Sequence, residues 1–228
     1  MEKNRIKALV LKHERVLSRH YRLLGRNVIR VARGSTFNVG NAFMKRCTVS
    51  VSGKDNTVEI QPGLTRLENC SVSIHGSGCR IVIGAGSNLK CANLCVQDDN
   101  GRILIGNHVT VSGTTEMAAI EGTSIEIGDD CLFSAQIQLR TGDSHSILDK
   151  ASGKRINPSK DIHIGEHVWI GNDVKLLKGV RVGSHSIVGT GAVLSEGEYP
   201  SNCIVGGLGH GRVLKEGIDW TPERLPLE

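Results

Sequence analysis

The run Ile164-Gly-Glu-His-Val-Trp169, Ile170-Gly-Asn-Asp-Val-Lys175, Leu176-Leu-Lys-Gly-Val-Arg181, Val182-Gly-Ser-His-Ser-Ile187, Val188-Gly-Thr-Gly-Ala-Val193 repeats itself every six residues. An aliphatic residue opens each hexapeptide and returns at Leu194, and a small or β-branched residue stands four later, at Val168, Val174, Val180, Ser186 and Ala192. A short fixed period of this kind marks a solenoid, in which one phase of side chains fills a narrow interior and successive coils pair their backbones. Upstream the signature recurs more loosely at Val39, Ile60, Ile83, Ile105 and Ile127, at intervals of 21, 23, 22 and 22 residues. Each interval reads as one complete coil of three short strands with a few residues bulging at a corner. From Ile127 to Ile164 the interval is 37, so a segment near 141–161 leaves the coil as a long loop. The predicted fold is all-β, a parallel β-helix of triangular section over 29–206, preceded by a helix within 1–28 and followed by a tail, 207–228.

Composition agrees with a thin interior. Of 228 residues 28 are glycine, while Phe, Trp and Tyr number 3, 2 and 2, which rules out a core built on large aromatics. Glycine, Asn and Asp in the repeat suit corner turns that need positive φ. Trp169 falls in an outward phase, between inward Val168 and Ile170.

The net charge of +5 is unevenly placed: residues 1–34 hold ten Lys/Arg and two Asp/Glu, and the remainder holds 18 basic and 21 acidic residues. A slightly acidic body argues against nucleic-acid binding. The basic segment reads as an amphipathic helix, with Ile6, Leu9, Val10, Val16, Leu17, Leu23 and Leu24 near one stripe and Gly25 as its stop. It is expected to dock on the body of its own subunit or a neighbour, with at most peripheral contact with a membrane. Seven cysteines and no secretory signal point to reduced, buried thiols in the cytoplasm. Cys91 and Cys95 make C-x3-C without a second pair, and Cys95, six after Leu89, is expected inside the coil. Gly84-Ala-Gly86 and Gly189-Thr-Gly191 sit within hexapeptides, so they are not nucleotide-binding loops. Nothing in the sequence is apolar for the 18 or so residues that a membrane span needs.

At these repeats the chain resembles the hexapeptide-repeat acyltransferases. That resemblance implies a left-handed β-helix, a homotrimer, and transfer of an acetyl group from acetyl-coenzyme A to a sugar or amino-acid hydroxyl or amine. The runs Arg140-Thr-Gly-Asp-Ser-His-Ser-Ile147, Arg155-Ile-Asn157 and Asp161-Ile-His-Ile-Gly-Glu-His-Val-Trp-Ile-Gly171 look like the subgroup that acetylates capsular or lipopolysaccharide sugars. There the matched histidine, His145, is the catalytic base. Chemistry asks for such a residue, because a sugar hydroxyl is a poor nucleophile at neutral pH and imidazole titrates near 7. Asp143, two residues earlier, is placed to hold the histidine tautomer. Backbone N–H groups near Gly171 would stabilise the thioester oxyanion. The resemblance makes Trp169 either a subunit contact or a wall of the acceptor and pantetheine groove. It also assigns Gly171, Gly189 and Thr190 to the pantetheine arm and Lys215 with Arg212 to the phosphates. The family's usual Gly-Asn-Pro-Ala-Lys after the last coil is replaced here by Gly206-Gly-Leu-Gly-His-Gly-Arg212.

Two other readings compete. A few left-handed β-helix proteins bind zinc through three histidines in a carbonic-anhydrase-like site at a subunit interface, for which His145, His163 and His167 are the candidates; the expectation is no metal. A coil without a competent donor site would instead be a non-catalytic scaffold. A serine acetyltransferase does not fit, since only about 25 residues precede the coil.

Overall fold

The structure, a computed structural model, describes residues 13–226. Its short strands form three sheets that are the faces of a prism. The first face begins with Val28–Val31 and Thr48–Ser52 and ends with Leu208–Gly209, nine strands in all; the second runs through eight strands from Thr36–Asn38 to Gly197–Tyr199. The third carries nine, from Phe43–Lys45 to Cys203–Gly206 with Arg212–Glu216 added. The chain visits the faces in that order once per coil, and every pairing is parallel except that of the last strand. The coil is a left-handed β-helix.

Register follows the repeat. In the tight stretch His163 lies against Arg181, Trp169 against Ile187 and Lys175 against Val193, each a step of 18 residues, or three hexapeptides. Earlier coils step by 23 and 22, from Thr48 to Ser71 to Asn93, and the step from Gln138 to Lys175 is 37.

Inside, aliphatic residues of all three faces are removed from water: Val72, Ile81, Leu89, Leu94, Ile103 and Val111 are all fully buried, as are Ile170, Leu176, Val188 and Leu194. Each contributes on the order of 1.5–3 kcal/mol of burial. Phe133 is the one aromatic among the described residues with no exposure.

Two expectations change. Cys95 is half-buried and faces outward, while Leu94 and Val96 occupy the interior. The reason is a shortened corner: Met44 to Val49, Leu67 to Val72 and Leu89 to Leu94 are steps of five, with Arg46, Asn69 and Cys91 turning at positive φ, so a count of six overshoots by one. Cys91 is exposed; the other five cysteines are buried, and all seven are free. Positive φ at the corners is shared by Gly86, Gly179 and Gly191 with Asp130, His167, Asp173 and His185, whereas Gly128 is needed for closeness, since a Cβ there would sit 2.6 Å from the Glu166 nitrogen on the next coil. Finally, helix α1 (Glu14–Leu24) ends at Gly25 as expected but does not bury its apolar stripe. It docks through Glu14, whose carboxylate accepts bonds from the Gly63 and Leu64 N–H groups at 2.9 and 2.7 Å, and through Tyr21 edge-on to Phe43. Ile6, Leu9 and Val10 of that stripe lie outside the described residues. No described helix is long and apolar enough to cross a membrane.

Candidate active site

The 141–161 segment leaves the corner between the first and second faces, between Arg140 and Ile162. It is a tied hairpin. Ile156 N–H donates to the Ile147 carbonyl, Asp149 N–H to that of Lys154, and Leu148 and Arg155 form an antiparallel bridge. Its root is locked beneath: buried Thr141 Oγ1 accepts from Ile120 N–H at 3.0 Å, and a Cβ on Gly142 would meet Ser159 Oγ and the Ile120 side chain.

Buried Asn157 organises the part that matters. Its Nδ2 donates to Asp143 Oδ2 and to the His145 carbonyl, both at 2.8 Å, while its Oδ1 accepts from Ile147 N–H at 2.7 Å. Arg155 Nε joins that oxygen at 3.1 Å, and Arg155 Nη1 reaches Glu121 on the preceding coil at 2.6 Å. Lys178 on the following coil pairs with Asp143, and Glu196 one coil further pairs with Lys160 of the loop. The loop is therefore clamped by coils on both sides. Lys178 first, then Asn157, holds the Asp143 carboxyl below the usual carboxylate range.

His145 is exposed at the edge of an open hollow of about 450 Å³ lined also by Arg140, Gly142, Asp143, Ser144, Leu177 and Lys178. The expected bond from Asp143 to the imidazole is not made. Among the described residues the Asp143 carboxylate is held by Lys178 and Asn157, and it acts on His145 through the backbone that Asn157 shares.

The remaining candidates lie elsewhere on the prism. Trp169 is on the third face, 38% exposed, its Nε1–H donating to Ser134 Oγ at 3.3 Å. Gly171, Gly189 and Thr190 follow at the corner between the third and first faces, where a Cβ on Gly171 would sit 2.7 Å from the Thr190 nitrogen of the next coil. Exposed Arg212 and Lys215 are on the antiparallel strand of the same third face, and no carboxylate among the described residues pairs with either. Within one chain, base candidates and donor candidates thus occupy different corners.

Residues 161–196 match the family model for bacterial transferase hexapeptide (six repeats). The chain is 30% identical over 133 residues to the polysialic acid O-acetyltransferase of Escherichia coli O1:K1 / APEC, covering 58% of this chain and 42% of that one. It is 29% identical over 151 residues to the polysialic acid O-acetyltransferase of Neisseria meningitidis, covering 57% and 69%. The crystal structure of the polySia specific acetyltransferase NeuO superposes with a TM-score of 0.75 at 28% identity, over 86% of this chain and 82% of that one. The chain thus carries the repeat of the bacterial hexapeptide transferases and resembles the capsular-polysaccharide O-acetyltransferases among them, although the alignment spans less than half of the E. coli relative.

Set against this family's pattern, the altered 206–212 stretch still completes a rung. Leu208 and Gly209 pair with Val193 and Leu194, and Gly207, Gly209 and Gly211 all turn at positive φ to reverse the chain into the Arg212–Glu216 strand. Sequence reasoning missed Lys178, Glu121 and Trp220. Trp220 stacks on His167, centroids 4.3 Å apart, and exchanges two bonds with it: its Nε1–H donates to the His167 carbonyl at 2.7 Å, and His167 Nε2 meets the Trp220 carbonyl at 2.9 Å. Within one chain the three zinc candidates stand apart: His145 is on the loop, His163 on the second face bonded to Glu126, and His167 beneath Trp220. His167 has His185 and Asp219 as neighbours instead.

Proposed function

We propose that the chain transfers an acetyl group from acetyl-CoA to a sugar hydroxyl of a capsular-type polysaccharide, with His145 as general base. The observation that carries the reading is His145 itself, presented to solvent by a loop whose backbone is fixed at that residue by buried Asn157. In the reaction the imidazole takes the hydroxyl proton as the oxygen attacks the thioester carbonyl. A C–O bond forms, the C–S bond breaks, and the same proton passes to the leaving thiolate. Polysialic acid, the acceptor in the names of both similar acetyltransferases, sets the first acceptors to try.

The donor residues fit a long anionic ligand: Gly171 and Gly189 add no side chain of their own at that corner, and Arg212 and Lys215, which no described carboxylate pairs, suit phosphates. Because those residues and His145 occupy different corners, a complete site takes two copies, and a homotrimer supplies three such pairs. Trp169 then serves as a wall facing the neighbour's His145.

The test is release of coenzyme A thiol with oligosialic acid and lipopolysaccharide sugars as acceptors, and mass spectrometry of the product for one added acetyl group. His145→Ala at the wild-type rate overturns the assignment of the base. A monomer by sedimentation overturns the shared site.

A further inference from the structure

Helix α1 meets the β-helix along its polar edge. Glu14 and Ser18 are its buried positions, and the stripe expected to face the core points away: Val16, Leu23 and Leu24 are 70%, 78% and 69% exposed. A contiguous apolar face on a surface helix marks an interaction site. Val28 and Ile29 continue it into the first coil, exposed beside Arg30 and Arg33.

Along the neighbouring edge of α1 stand Arg15, Arg19 and Arg22, at i, i+4 and i+7, lining a hollow of about 560 Å³ with Gly40 and Asn41. Between residues 13 and 46 there are eight Lys/Arg and one acidic residue, Glu14, which is spent on the N–H groups of Gly63 and Leu64. Among the described residues no carboxylate pairs with Arg15, Arg19, Arg22 or Arg26. The crowding is felt: burial, then the charge of Arg19, lowers the pKa of Arg22.

We propose that α1 is a docking surface for an anionic lipid bilayer. Hydrocarbon accepts Val16, Leu23 and Leu24, and headgroup phosphates supply the negative charge that the arginines lack. Both halves of the surface are needed, since an apolar stripe alone would suit any apolar partner and the arginines alone any polyanion. The binding is peripheral and reversible, independent of the acetyl transfer proposed above.

The full chain is pelleted with sucrose-loaded vesicles of phosphatidylglycerol and phosphatidylethanolamine, and with vesicles of phosphatidylcholine alone. Binding to the first and at least tenfold weaker binding to the second is expected, with loss of binding as salt rises. Each arginine removed should lower partitioning about fivefold, so Arg15→Glu with Arg19→Glu should abolish it, and Val16→Ser with Leu23→Ser should weaken it at least tenfold. Circular dichroism identical to wild type shows that these variants are folded. No pelleting with anionic vesicles, or equal pelleting by the variants, overturns the proposal. So does a fall in sedimentation mass for Val16→Ser with Leu23→Ser, which would make the stripe a contact between copies of the chain.

Discussion

The coils before Arg140 and those after Ile162 wrap the same aliphatic interior with different amounts of chain, and one place where they differ is the corner that carries the loop. Between the first and second faces, residues 53–56, 76–79, 98–101 and 120–123 each supply a four-residue connection, whereas the tight coils cross with Lys178 and Gly179, then Ser195 and Glu196. The 141–161 loop that carries His145 leaves from that same corner. It is the largest member of a series of connections at that corner, where added length costs little. Interior phase decides whether the chain folds; corner length decides where chemistry can be displayed.

That division can be broken most directly at the loop. His145→Ala should lower turnover by about 10²–10⁴-fold, the usual share of a general base, and leave the thermal melt unchanged. A matching loss of melting temperature would mean that the corner serves the fold after all. Interior truncations should do the reverse, and alike in both kinds of coil. Ile81→Ala in a 22-residue coil and Ile170→Ala in an 18-residue coil, both fully buried, should each cost about 2–5 kcal/mol in urea unfolding. A cost confined to one of them would separate the two regions.

Asn157→Ala tests the link between loop and base. Four bonds go at once, leaving the Ile147 N–H without its partner, a loss on the order of 1–3 kcal/mol. Amide exchange should quicken from 143 to 157 while coil amides stay protected, and turnover should fall with little change in KM. The smallest effect is in pH. Asp143 has a depressed pKa, so its pairing with Lys178 is complete above the ordinary carboxylate value and is lost as pH falls through the depressed one. Lys178→Met removes the larger cause. Loop protection should then begin to fail at a higher pH than in the wild type, as followed by exchange between pH 3 and 6.

Much of this was legible in the residues. A six-residue period with an aliphatic at each start admits few folds, and the 37-residue interval located the loop because nothing inside it continued the phase. What escaped depends on contacts between coils. Lys178 reads as one more polar residue of a hexapeptide until the loop folds over it, and Trp220 as a tail residue until it lies on His167. Cys95 was misplaced because a corner one residue short leaves no mark in composition. The arrangement of Asp143 was misjudged for a related reason: spacing of two put it beside His145 in the chain, while a buried Asn157 fourteen residues later took the carboxylate.

The strand Arg212–Glu216 closes the third face by running against the direction of every strand before it. A parallel β-helix that simply stopped would offer its last rung as a template for the first rung of another molecule, the geometry from which fibres grow. Here the outermost edge is reversed, carries Arg212, Lys215 and Glu216, and pairs through an irregularity at Ile204 and Val205, three devices that spoil such a template. The short reversal after the glycines thus blunts the last edge of the third face.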